Sequence, residues 1–125
     1  MSKRIHSDKA AQPVAAYTQA VRAGELVFVS GCIPIDPESG ELISSSIEDA
    51  TRQSLKNVEK ILESAGLNLS NVVKASVFMI SPDDYAGMNS VYAEIMPQPY
   101  PAREAIFVAG LPKGAIVEIS VIAKD

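Results

Sequence analysis

The chain of 125 residues is 47% hydrophobic and 21% charged, the make-up of a folded soluble chain read as one domain over residues 1–125. Its 15 acids outweigh 11 bases for a net charge of −4, and no cationic run exceeds Lys3-Arg4, which argues against nucleic acid as a partner. No apolar stretch reaches membrane-spanning length, and the single cysteine, Cys32, excludes an internal disulfide.

The start, MSKRIHSDKAAQP, lacks the apolar core of a signal peptide, so the cytoplasm is the expected compartment, in keeping with the lone thiol. The only histidine, His6, lies where chains are often loosely held, which counts against a Cys32–His6 catalytic pair. YTQAV and, after the turn Ala23-Gly24, ELVFVSG read as strands; Pro34, Pro37 and Gly40 in CIPIDPESGEL mark a turn-rich loop or short hairpin. Ser45-x-x-Glu48 is a capping box that opens a helix. Its stripe runs Ile47, Ala50, Leu55, Val58, Ile61, Leu62, Ala65, with Gly66 as the stop. NVVKASVFMI reads as a buried strand, although Asn68-Leu69-Ser70 just before it matches a glycosylation sequon, a coincidence in a chain without an export signal. Ser81-Pro82-Asp83-Asp84 starts a second helix with a cap, an early proline and acids facing the dipole. Its apolar positions are Tyr85, Met88, Tyr92, Ile95 and Met96, and MPQPYP ends it. The strands EAIFVAG and AIVEISVIA follow, joined by the turn LPKG.

Helices this few cannot cover both faces of a sheet. The expected class is α+β, a mixed sheet with two helices packed on one face. The other face would still carry Val, Ile and Phe, so self-association is expected to bury it, with sites between subunits.

Two charged residues stand out. Arg103 in PYPAREAI follows a stiff proline-flanked lead-in, and is either a snorkelling edge cation or a planar fork aimed at a carboxylate. Glu118 is the only charge in AIVEISVIA, and is either an ordinary outward residue or a desolvated carboxylate turned to a cleft. A hairpin around LPKG would bring them close, as a structural ion pair or as an anion holder with a water-directing carboxylate. No three- or four-ligand cluster for a metal exists in the sequence.

VSGCIPIDPESGE, RQSLKNVEKILESAGL, VVKASVFMISPDDYAGMNSVYAE, PAREAIFVAGLPKGAIVEI and the YTQAV start together resemble the RidA/YjgF family over nearly the whole chain. The resemblance implies a chorismate-mutase-like domain in homotrimers with clefts between subunits. It also implies hydrolysis of 2-imino acids and their enamines, such as 2-aminoacrylate, to 2-keto acids and ammonia, without metal or organic cofactor, which protects pyridoxal-phosphate enzymes. By position it makes Arg103 the carboxylate-binding arginine and Glu118 the residue that orients or activates water. It makes Ser30 and Gly31 a cleft-lining pair, Tyr17 a tyrosine closing the cleft, and Asn89 a helix asparagine near the site.

The chain departs from the family pattern in places. Ala105 stands where the family often has Cys, so only its carbonyl could hold water. Glu104 replaces a small hydroxyl residue, and strand alternation turns it away from Arg103. Cys32 and Ala15-Ala16 also differ from the usual residues. These departures bear on substrate range. They also keep open a second class, a non-catalytic trimer that senses a keto acid, or the translation-related and chaperone-like roles described for some members.

Overall fold

In the computed structural model, which describes residues 2–125, the elements run β1 (Ser2–Ile5), β2 (Ala20–Ala23), β3 (Leu26–Cys32), α1 (Ile47–Ser64), β4 (Val72–Met79), α2 (Tyr85–Ile95), β5 (Ala102–Phe107) and β6 (Val117–Lys124). Met1, the first residue of the expected domain, lies outside the described residues. The strands form one sheet in the order β1-β2-β3-β6-β4-β5, with β4 and β5 parallel and the other neighbours antiparallel. This is the expected mixed sheet with two helices on one face.

Alternation along the central strands explains the layering. Ala75, Val77 and Met79 of β4 and Val117, Ile119 and Val121 of β6 are buried in one core with Leu55, Val58 and Leu62 of α1 and Met88 of α2. Their neighbours Phe78, Glu118, Ser120 and Ile122 point from the other, helix-free face. That face leaves Phe28 42% and Ile106 41% exposed. No helix among the described residues is long and apolar enough to cross a membrane.

Helix α1 follows its stripe, but its start differs by one residue. Ser46, not Ser45, is the N-cap: its hydroxyl accepts from the Asp49 amide at 3.0 Å, while Ser45 Oγ donates to Asp49 Oδ2. Three consecutive serines offer two capping registers, and the one whose hydroxyl reaches a free first-turn amide prevails. Gly66, at φ +78°, stops the helix as expected, with the Leu67 amide donating to the Leu62 carbonyl. Helix α2 is preceded by the one-turn segment Pro82–Asp84, capped by Ser81.

Two expectations fail in the first quarter of the chain. The N-terminus is not loose: β1 pairs with β2, and buried Gln19 accepts from the Ser7 amide at 2.7 Å and donates to the Ala11 carbonyl at 2.9 Å. YTQAV is not all strand either. Only Ala20 onward joins β2, and Tyr17 sits in the preceding loop, 43% exposed.

Candidate active site

The proline-rich segment after α2 delivers the chain to the sheet edge, where Arg103 is the second residue of β5. Arg103 pairs in register with Ala75, so its side chain lies on the helix side, against α2. One terminal nitrogen donates to Asn89 Oδ1 and the other to Tyr85 Oη, both at 2.9 Å. The guanidinium carbon stands 4.7 Å from the centre of the Tyr92 ring and 5.8 Å from that of Tyr85. Residues 85, 89 and 92 form one stripe of the helix, so a single face of α2 grips the fork. No carboxylate among the described residues lies within ion-pair distance of it. A guanidinium has five N–H groups, so two anchoring bonds leave donors for an anion. Ala105, two residues along β5, shares this face and is half-buried.

Glu104 points the other way, as alternation requires. It accepts from Ser76 Oγ at 2.8 Å and lies 3.7 Å from Lys74 Nζ, so it does not compete for Arg103.

Glu118 occupies a separate place. It lines a cleft of about 280 Å3 with Val14, Ala15, Tyr17, Ser30, Gly31 and others. Burial pushes its carboxyl above the ordinary range. The β3 ladder to β6 slips between Val29 and Cys32, and this bulge turns Ser30 and Gly31 into the cleft wall. Ser30 is pinned from both ends: its amide donates to the Gln19 carbonyl at 2.9 Å and its hydroxyl to the Thr18 carbonyl at 2.6 Å. The Tyr17 hydroxyl accepts from the Val14 amide at 3.4 Å, which curls the loop over the cleft.

The expected hairpin bringing Arg103 to Glu118 does not form. Strand β4 lies between β5 and β6, so the two residues are two strands apart, roughly 10 Å at ordinary strand spacing. Their register partners on β4, Ala75 and Phe78, have opposite parity, so the side chains leave opposite faces of the sheet. A short turn such as LPKG does not force its flanking strands to pair when a third strand already satisfies both. The site residues thus fall into two groups, Arg103, Asn89 and Ala105 on one side, Glu118, Tyr17, Ser30 and Gly31 on the other.

Cys32 and His6 do not pair. His6 Nε2 lies 3.0 Å from Asp8 Oδ1, and the Cys32 thiol donates to the Ser30 carbonyl at 3.5 Å. Burial, and then the charge of Glu118, push that thiol up to about 12, which keeps it protonated and inert at neutral pH. No group of three His, Cys, Asp or Glu among the described residues could hold a metal. In the sequence Tyr85 and Tyr92 count only as apolar helix positions, and Tyr92 is indeed buried in the core while Tyr85 is exposed; their helical spacing to Asn89 is the signal that they share a face with it.

A family model described as Endoribonuclease L-PSP matches residues 7–125. The chain is 44% identical over 123 residues to a RutC family protein of Pyrococcus horikoshii, covering 98% of each. It is 39% identical over 121 residues to the 2-iminobutanoate/2-iminopropanoate deaminase of Bos taurus, covering 97% of this chain and 88% of the bovine one. The crystal structure of E. coli TdcF with bound serine matches with a TM-score of 0.93 at 36% identity, covering 98% of both chains. With a family model spanning nearly its whole length and relatives this similar end to end, the chain belongs to the RidA/YjgF family, the Endoribonuclease L-PSP family of that model.

Proposed function

We propose that the protein hydrolyses small 2-imino acids and their enamine tautomers to 2-keto acids and ammonia, at sites completed between copies of a homotrimer. The observation that carries this reading is an anchored arginine and a desolvated glutamate, neither with an ion-pair partner among the described residues, on opposite faces of one sheet. Neither half is a site alone; a neighbouring copy would bring the Arg103 group to the Glu118 cleft. The exposed apolar residues of the helix-free face, Phe28 and Ile106, favour such an assembly.

In this reading Arg103 binds the α-carboxylate through the donors that Tyr85 and Asn89 leave free. Glu118 takes a proton as water adds to the imine carbon and returns one to the departing amine. A carboxyl raised by burial is better placed to do both near neutral pH than an ordinary one. Tyr17, Ser30 and Gly31 shape the cleft around the reacting carbon, and the Ala105 carbonyl can hold the water that a thiol would otherwise contact. The chemistry needs no cofactor, since the imine carbon is already electrophilic. The name of the bovine relative and the serine bound to TdcF both fit a small ligand bearing an α-carboxylate.

The test is a dehydratase-coupled assay that follows imine decay: Arg103→Ala should reduce the rate to background, and full activity in that variant would sink the assignment. Binding of 2-ketobutyrate by the unaltered protein without imine turnover would instead favour a sensor.

A further inference from the structure

The hydroxyl of Tyr85 has a use beyond holding a helix in place. It is 40% exposed, unlike the buried Tyr92, and its oxygen accepts a hydrogen bond from Arg103 at 2.9 Å. A phenol that accepts from a cation still has its own proton to give. No acceptor for that proton is found among the described residues, and the guanidinium beside it attracts whatever anion arrives. We infer that the Tyr85 hydroxyl is a second donor to the ligand's carboxylate: Arg103 gives N–H bonds to one side of the anion and Tyr85 gives its O–H to another.

The geometry favours this role over a purely structural one. Asn89 already fixes the other end of the fork at 2.9 Å, and the Tyr92 ring supports it 4.7 Å below, so Tyr85 is not needed to keep the arginine on α2. The hydroxyl adds an oriented, neutral donor at the edge of the cation. Together they would form a three-point seat for a planar carboxylate, which a single fork does not supply. The consequence is selectivity for α-carboxylate ligands that rests on ground-state binding, with Tyr85 as a binding residue and no part in proton transfer to the amine.

This inference rests on the proposed function, and the experiment separates their failures. Tyr85→Phe removes one oxygen from an exposed ring and keeps the ring over Arg103. Titration with 2-ketobutyrate should show roughly tenfold weaker binding, the effect of losing one hydrogen bond to a charged group. In the imine assay KM should rise by the same factor while kcat stays within about twofold, since a uniformly binding contact is lost. The ligand-free thermal midpoint should not move. Unchanged 2-ketobutyrate binding in Tyr85→Phe, with unaltered protein and Arg103→Ala behaving as proposed above, overturns the inference alone. So does a fall in kcat with unchanged binding, or a drop in thermal midpoint that accounts for the loss. If the unaltered protein neither binds 2-ketobutyrate nor turns over imine, the function and the inference fall together.

Discussion

Gly31 and Glu118 share one volume: a Cβ placed on Gly31 would stand 2.6 Å from Cδ of Glu118 and 2.7 Å from Oε2. The bulge in β3 therefore needs glycine for closeness, since Gly31 is not among the residues with positive φ. The atoms it would strike are the far end of a flexible side chain, so Gly31→Ala should displace the carboxylate and leave the fold intact. A misplacement of about 1 Å costs on the order of a hundredfold in rate. The expected result is a kcat/KM loss of that order with a thermal midpoint within a few degrees of the unaltered protein. An active Gly31→Ala would show that the position of Glu118 is not critical.

Glu118→Gln should lower kcat by roughly a hundredfold or more, as expected for loss of a positioned proton carrier, with 2-ketobutyrate binding retained through Arg103. The pH dependence carries a sign. Because burial raises the folded carboxyl's pKa, the folded state holds the proton more firmly than the unfolded one. Stability from this group is therefore fully kept below the unfolded pKa and declines as pH climbs through the folded one. Thermal melts should show Glu118→Gln level with the unaltered protein in acid and above it near neutrality. In kinetics, the acid limb of the kcat profile should vanish in the variant.

What was legible in the sequence had local causes. The stripe of α1, the Gly66 stop and the opposite face of Glu104 follow from helical and strand periods, which act over a few residues. Arg103 announced itself by its proline lead-in. Its relation to Glu118 did not, because which strand lies between two others is decided by packing across the whole sheet. YTQAV reads as strand, while the buried Gln19 side chain, bridging Ser7 and Ala11, holds that segment as loop until Ala20. A polar side chain that serves distant backbone leaves no period to find.

Asn57 is another such residue. It is buried in α1, and its amide nitrogen donates to the carbonyls of Ile35 at 3.0 Å and Ile33 at 3.4 Å. These bonds fasten the loop after β3 beneath the cleft that Ile33 lines. Asn57→Ala should cost about 2 kcal/mol, since the buried Ile35 carbonyl loses its donor while the Ile33 carbonyl keeps the Ile35 amide at 2.8 Å. Chemical denaturation should record a lower midpoint with an unchanged slope; a difference under a few tenths of a kcal/mol would mean water replaces the amide.

Cys32 gives a cheaper test of the electrostatics around Glu118. With its thiol pushed up to about 12, native protein at pH 8 should resist iodoacetamide, and unfolded protein should react fully. Mass spectrometry reads the difference directly. Cys32→Ser should keep activity, since this thiol packs against the core and donates to the Ser30 carbonyl, a bond a hydroxyl can also make. Rapid alkylation of the folded protein would mean that the environment of Glu118 is wetter than its burial implies.

The separation of Arg103 and Glu118 onto opposite faces makes the proposed shared site testable by mixing. Arg103→Ala and Glu118→Gln should each be inactive. If each site takes Arg103 from one copy and Glu118 from the next, unfolding the two variants together and refolding them yields mixed trimers. Some of their sites then draw both functional residues from intact donors. Random assembly of equal amounts puts the right neighbour in place at about one site in four, so about a quarter of the original activity should return. A site built within one chain gives none, because every chain in the mixture lacks one of the two residues. Light scattering on the same samples should report trimers throughout; a stable monomer would remove the basis for sharing, and silence in a correctly assembled mixed trimer would place both residues' work within a single copy.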